Sequence, residues 1–157
     1  MSNRLENGSL LLGRILLAGC FVPSGLAKLS NISGFAVSLA ATGLPSPGAV
    51  ATGCVLTNVF GPLALILGIA PRLTAGALIA VTAVTTALLH RFWEYGGGIR
   101  QLEQATFLAH LGIVAGLLFY IVSGPGAWSW QGWWRGQASE RQATPAQRRG
   151  ARAPRPA

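Results

Sequence analysis

Charge is what this sequence has least of. Its 157 residues include twelve Lys or Arg and only four Asp or Glu, about a tenth of the chain where an average soluble domain has about 25%. The few charges are also unevenly spread, for residues 29–71, 73–90 and 104–134 carry none. Crossing a hydrocarbon core of about 30 Å takes about 20 predominantly apolar residues, so each gap holds room for a span. A soluble amphipathic helix needs charge along its wet stripe, and these gaps exclude it. Several motifs are missing as well. There is no P-loop, no Gly-x-Gly-x-x-Gly after a strand and no Ser/His/Asp set, and the triple glycine at 96–98 follows no strand, so it reads as a flexible loop and not as a phosphate cradle. Cysteine is scarce. Cys20 and Cys54 fall inside apolar stretches, outside any Cys-x-x-Cys spacing, and read as small packing residues; a redox pair would need Cα atoms within about 7 Å. The net charge of +8 does not point to nucleic acid. Six of the twelve basic residues lie between Arg135 and Arg155, where no aromatic side chain offers a base-stacking platform. A basic segment directly after a membrane helix meets anionic lipid and sets topology instead.

What is present is hydrophobic: half the residues are apolar, and the length suits one domain. The chain is organised around Leu11–Leu29, LLGRILLAGCFVPSGLAKL, whose only charges, Arg14 and Lys28, stand fourteen residues apart and so return to nearly one helix face. The expected fold is an all-α membrane protein, a four-transmembrane-helix bundle with a short interfacial helix between spans one and two. A polar leader covers residues 1–8. Spans are expected at about 9–27, 48–70, 73–92 and 105–122 within a membrane domain of residues 9–134, and a basic, disordered cytoplasmic tail at 135–157. Leu17-Ala18-Gly19-Cys20 matches a lipobox, but Arg14 interrupts the apolar region and no polar tether follows Cys20, so the stretch reads as a retained span. Pro23 and Gly61-Pro62 mark bend points, tolerated in lipid because neighbouring helices satisfy the freed backbone groups. Residues 35–44 are too few to span and suit the interface. Trp128, Trp130, Trp133 and Trp134 form an aromatic belt.

With four spans, both termini and the 71–72 turn share one side. That side holds eight basic residues, and the other holds Lys28, Arg91 and Arg100. The positive-inside rule then places both termini in the cytoplasm of a multi-pass cell (plasma or inner) membrane protein. Ionisable groups in a span face the bundle interior by default. Arg14 either snorkels to the near interface or finds an interior partner. His90 and Glu94 share a helix face, as do Glu103, Thr106 and His110. Topology brings both sets to the external end near Lys28, as a polar pocket or as an ordinary hydrogen-bonded rim. Two histidines and two glutamates have ligand chemistry, but no metal site is expected.

These elements, LLGRILLAGCFVPSGLAKL, GFAVSLAATGLPSP, NVFGPLALILGIAPR, HRFW, QATFLAHLGIVAG and GPGAWSW, taken in order, resemble the DoxX family of small four-helix membrane proteins over about residues 10–130. The resemblance implies the fold and a link to membrane oxidoreductase systems, quinone- or thiol-linked. Where family members often carry a glutamate before the Phe-Gly pair of span two, this chain has Asn58, so an Arg14–Glu pair is reduced to an Arg14–Asn58 hydrogen bond or replaced by another acceptor, such as a kink-freed carbonyl near Pro62. In span four, His110 stands where the family often has asparagine. The expectation is a DoxX-type integral membrane subunit of an oxidoreductase system, with Arg14 and Asn58 as polar core, Lys28 on the pocket rim, and His90, His110, Glu94 and Glu103 as candidates for chemistry. A histidine would handle protons near neutral pH. No covalently bound cofactor is expected; quinone, the lipid bilayer, an oxidoreductase partner subunit and a homo-oligomer are the expected associations. The alternative is a non-catalytic scaffold or a small-solute permease.

Overall fold

The structure is a computed structural model describing residues 2–134 and residue 137. The basic tail expected from residue 135 therefore lies, residue 137 apart, outside the described residues. Among the described residues, five α-helices and one 3-10 turn come in this order: α1 (Ser2–Ser30), α2 (Ile32–Ala40), α3 (Pro47–Leu67), α4 (Pro71–Leu89), the turn Phe92–Glu94, and α5 (Gly97–Ser123). Residues 130–134 are helical again. Four of the helices, all but the nine-residue α2, are long and apolar enough to cross a membrane. The protein is an all-α membrane protein.

Local chemistry sets each break. Asn31 ends the first apolar run, and its side chain accepts from the Gly34 backbone N–H at 2.9 Å, which starts α2. Pro47 and Pro71 stand in the first turns of α3 and α4, where a missing N–H costs nothing. Gly68 closes α3 in the left-handed region at φ 69°. Pro23 and Pro62 stay inside continuous helices. Pro62 cannot donate to the Asn58 carbonyl four residues back. Gly25 of α1 packs against that carbonyl, close enough that a Cβ there would lie 2.8 Å from it.

The chain runs up, down, up, down. α1 packs on α3, α3 on α4, and α4 on α5, while α5 returns to α1 with a thinner contact. α2 lies across α3 at the Lys28 end. Ala18, Phe21, Leu65, Ala75, Leu78, Leu117 and Tyr120 form the buried core, whereas Leu12, Leu16, Leu26, Phe60, Leu63, Leu73, Phe119 and Val122 point outward. An apolar exterior around a small core is the arrangement that lipid permits.

Two helices exceed their expected bounds. α1 begins at Ser2, so the leader is helical; the Asn7 side chain accepts from Ala127 N–H at 2.8 Å, tying this leader to the C-terminal segment. α5 begins at Gly97, not near residue 105, and the expected loop shrinks to the 3-10 turn and Tyr95-Gly96. Backbone hydrogen bonding continues through Arg100 and Gln101, whose side chains are exposed, because a helix end past the hydrocarbon needs no apolar residues.

Candidate functional site

The polar groups of the bundle separate into two places. The first is built on Arg14. It is 1% exposed, so it does not snorkel, and it makes no hydrogen bond to Asn58. Nη1 donates to the Ile66 carbonyl at 2.8 Å and Nη2 to the Trp128 carbonyl at 2.5 Å. Ile66 lies in the last turn of α3, where carbonyls lack helical donors and the helix dipole favours a cation. The expected acceptor near Pro62 is thus replaced by an acceptor at the helix end. Gly68 makes room: a Cβ there would meet Ser129 Cβ at 2.5 Å and Arg14 Nη1 at 3.0 Å. The segment that brings Trp128 in is shaped by Ser129, whose hydroxyl donates to Gly126 O at 2.7 Å and accepts from Gly132 N–H at 3.0 Å. Arg14 therefore clamps α1, α3 and the C-terminal segment together.

The second place is a cavity of about 290 Å³ at the other end of the bundle. α1 contributes Cys20, Phe21, Ser24 and Lys28; α3 contributes Asn58; α4 contributes Thr82, Thr85 and Leu89, followed by His90; α5 contributes Thr106, His110 and Ile113. Thr82 and Thr85 donate their hydroxyls to backbone carbonyls, Leu78 O at 2.7 Å and Val81 O at 2.8 Å, so this wall is polar in composition but already satisfied. Lys28 donates to Ser24 Oγ one turn below and stands 5.4 Å from the centre of the Phe35 ring of α2. Among the described residues it has no carboxylate partner. Asn58 is 4% exposed, lines the cavity, and its amide has no hydrogen-bond partner among the described residues.

The histidines meet as well. His90 Nδ1–H donates to Glu103 Oε2 at 2.8 Å, and a 2.7 Å hydrogen bond links His110 Nδ1 with Thr86 Oγ1. The two rings stand edge to face with centroids 5.1 Å apart. Each ring thus uses Nδ1 on a helix neighbour and keeps Nε2 for another partner.

Of the residues expected at this end, Lys28, His90, His110 and Glu103 come together, with Glu103 behind His90. Glu94 does not join them: it pairs with Arg91 at 2.8 Å on the outer surface, because the chain leaves the α4 helix at His90 and the 3-10 turn rotates residue 94 away from the face of residue 90. Asn58, expected beside Arg14, belongs to this cavity instead. Ser24 and Thr85 were not singled out by the sequence, and Cys20 and Thr82 were not expected in the pocket. Ser24 carried a signal, one turn before Lys28. Both cysteines are free, Cys20 exposed and Cys54 buried. Among the described residues no group of three His, Cys, Asp or Glu is placed to hold a metal ion.

A four-span bundle with a clamped arginine at one end and a small polar cavity at the other defines a class of small integral membrane proteins. The DoxX family profile matches residues 9–91, and the chain belongs to the DoxX family. Inner membrane protein YqjF of Escherichia coli K12 is 30% identical over 126 residues, covering 80% of this chain and 92% of that protein. Inner membrane protein YphA of the same strain is 28% identical over 118 residues, covering 75% and 84%. No solved structure matches the chain.

Proposed function

We propose that this protein is the membrane subunit of an oxidoreductase system and that its cavity receives the head group of a quinone. The observation that carries the reading is a set of polar groups with hydrogen-bonding capacity left over. Lys28 has no carboxylate, the Asn58 amide has no partner, and His90 and His110 each keep one ring nitrogen, all around one cavity of about 290 Å³. A quinone ring presents two carbonyl acceptors on opposite edges and fits a pocket at the small end of the ligand-site range, about 300–1,000 Å³. A dinucleotide does not fit. Reduction to the quinol takes two electrons, supplied by the donor of a partner oxidoreductase subunit, and two protons, which come from water and are relayed by the histidine pair. Glu103 holds His90 in one orientation and Thr86 holds His110.

A permease needs a polar route through the bilayer. Below the cavity the interior is closed by Phe21, Leu78 and Leu117, and of the polar groups beyond them Arg14 has both terminal nitrogens engaged while the buried Tyr120 hydroxyl stands alone among the described residues.

The test is purification in mild detergent, with bound lipids identified by mass spectrometry. Quinone should co-purify, and Lys28→Met should lower its content about tenfold, since a hydrogen bond from a charged donor contributes about 1.5–3 kcal/mol and about 1.4 kcal/mol is a factor of ten. Absence of quinone, together with a full cellular phenotype for His90→Ala and His110→Ala, would leave a scaffold as the better description.

A further inference from the structure

We infer that the cavity is loaded sideways from the bilayer, through a slot between α1 and α5, and that its ligand is an amphiphile: an acceptor-bearing head group at Lys28 and Asn58, and an apolar tail lying in the slot. This rests on the reading of the cavity as a ligand site, and it selects a lipid-soluble ligand over a small water-soluble reductant.

The argument begins where α1 and α5 touch. Gly116 meets Leu17 so closely that a Cβ on the glycine would lie 2.9 Å from Leu17 Cδ2. Residues three and seven positions on from Leu17 stay on the same stripe of α1, and these are Cys20 and Ser24. On the antiparallel α5 the matching stripe runs back from Gly116 through Gly112, Ala109 and Ala105. Two helices that stayed in contact would bury these residues against each other. Instead Cys20, Gly112, Ala109 and Ala105 are all exposed, although Cys20 lines the cavity. The helices diverge above the Leu17–Gly116 contact, and side chains no larger than cysteine leave the gap unfilled.

The other helix pairs around the cavity are held in contact. α1 meets α3 with Gly25 against the Asn58 backbone, α4 meets α5 through the His90–Glu103 and Thr86–His110 hydrogen bonds, and Phe35 of α2 stands over Lys28 at the water side. Cys20 lies eight residues before Lys28, about 12 Å deeper at 1.5 Å per residue, which puts the slot beside acyl chains and not beside water. Asn58 supplies the second, independent sign of a ligand, as a buried amide without a partner facing the same space. The Lys28 ammonium, which has a hydroxyl but no carboxylate beside it among the described residues, selects a head group that is anionic or rich in acceptors.

The exposed thiol at the slot provides the measurement. Full-length protein in phospholipid vesicles is reacted with a lipid-soluble maleimide, and Cys20 labelling is followed by mass spectrometry. Three probes are compared: a fully ring-substituted benzoquinone with a decyl tail, the same head group without the tail, and decanoate. With a bound probe at about ten times its dissociation constant, labelling should slow about tenfold. The expected result is protection by the decyl quinone, little protection by the tailless quinone at the same concentration, and loss of protection in Ala109→Phe, which fills the slot from an exposed position. Equal protection by the tailless quinone, or retained protection in Ala109→Phe, overturns the lateral route. Protection by decanoate but not by the decyl quinone upholds the route and removes the quinone reading. Protection by no probe overturns both.

Discussion

Arg14 and Lys28 lie on one face of one helix, yet they do opposite things. Arg14 spends its charge on structure. Its two terminal nitrogens satisfy carbonyls of Ile66 and Trp128 that no helix hydrogen bond reaches, and burial makes that exchange expensive to undo. Arg14→Gln, which cannot serve both acceptors, should destabilise the protein by about 2 kcal/mol, the cost of leaving a buried polar group unpaired; SDS-titrated unfolding in mixed micelles measures it. Lys28 retains donor capacity, because its neighbours are a hydroxyl and a ring and not a carboxylate. Lys28→Met should therefore leave stability nearly unchanged while lowering ligand content, the reverse of the Arg14 result. That Arg14 is important was legible from a charge inside an apolar run. Its partners were not, because both are backbone carbonyls, and every residue type carries one.

At the scale of elements, the packing is set by where backbones approach. α1 and α3 approach at Gly25, where a Cβ would press on the Asn58 carbonyl at 2.8 Å; α3 and α4 approach at Gly61, where it would press on the Leu78 side chain at 2.7 Å. A leucine tip can rotate away and a helix backbone cannot. Gly25→Ala should thus cost about 1–3 kcal/mol, the usual penalty of overpacking, and Gly61→Ala distinctly less, both read as thermal stability in detergent. Because Gly25 packs beside Asn58, Gly25→Ala should also disturb the cavity, and bound-lipid content should fall with stability. Element existence and order were readable from the uncharged gaps and from the turn at Pro71-Arg72. Element ends were not. The first turns of α1 and α5 contain polar residues and glycines, and hydropathy stops at the edge of the hydrocarbon while helical hydrogen bonding does not.

For the whole molecule, α1, α3, α4 and α5 alternate direction, so the chain ends of the bundle share the Arg14 side, and Lys28, His90 and Glu103 share the other. Arg4 and Arg72 lie on the first side, and with the six arginines that follow Trp134 in the sequence they lead the positive-inside rule to predict that this side faces the cytoplasm. A fluorescent-protein fusion after Ala157 should accordingly be bright and an alkaline-phosphatase fusion there inactive; the opposite pair of results would invert the orientation and place the cavity on the cytoplasmic side. Membrane class, span number and the grouping of Lys28 with the histidines at one end were determined by the sequence alone, because charge cannot sit in hydrocarbon without cause and four crossings leave no freedom in which ends meet. Tertiary structure alone decided that Asn58 faces the cavity and not Arg14, that Glu94 turns outward to Arg91, and that α1 and α5 part above Leu17 and Gly116. Those outcomes depend on helix rotation and on how close two backbones come, which are set by the fit of many side chains at once and by no single residue's chemistry.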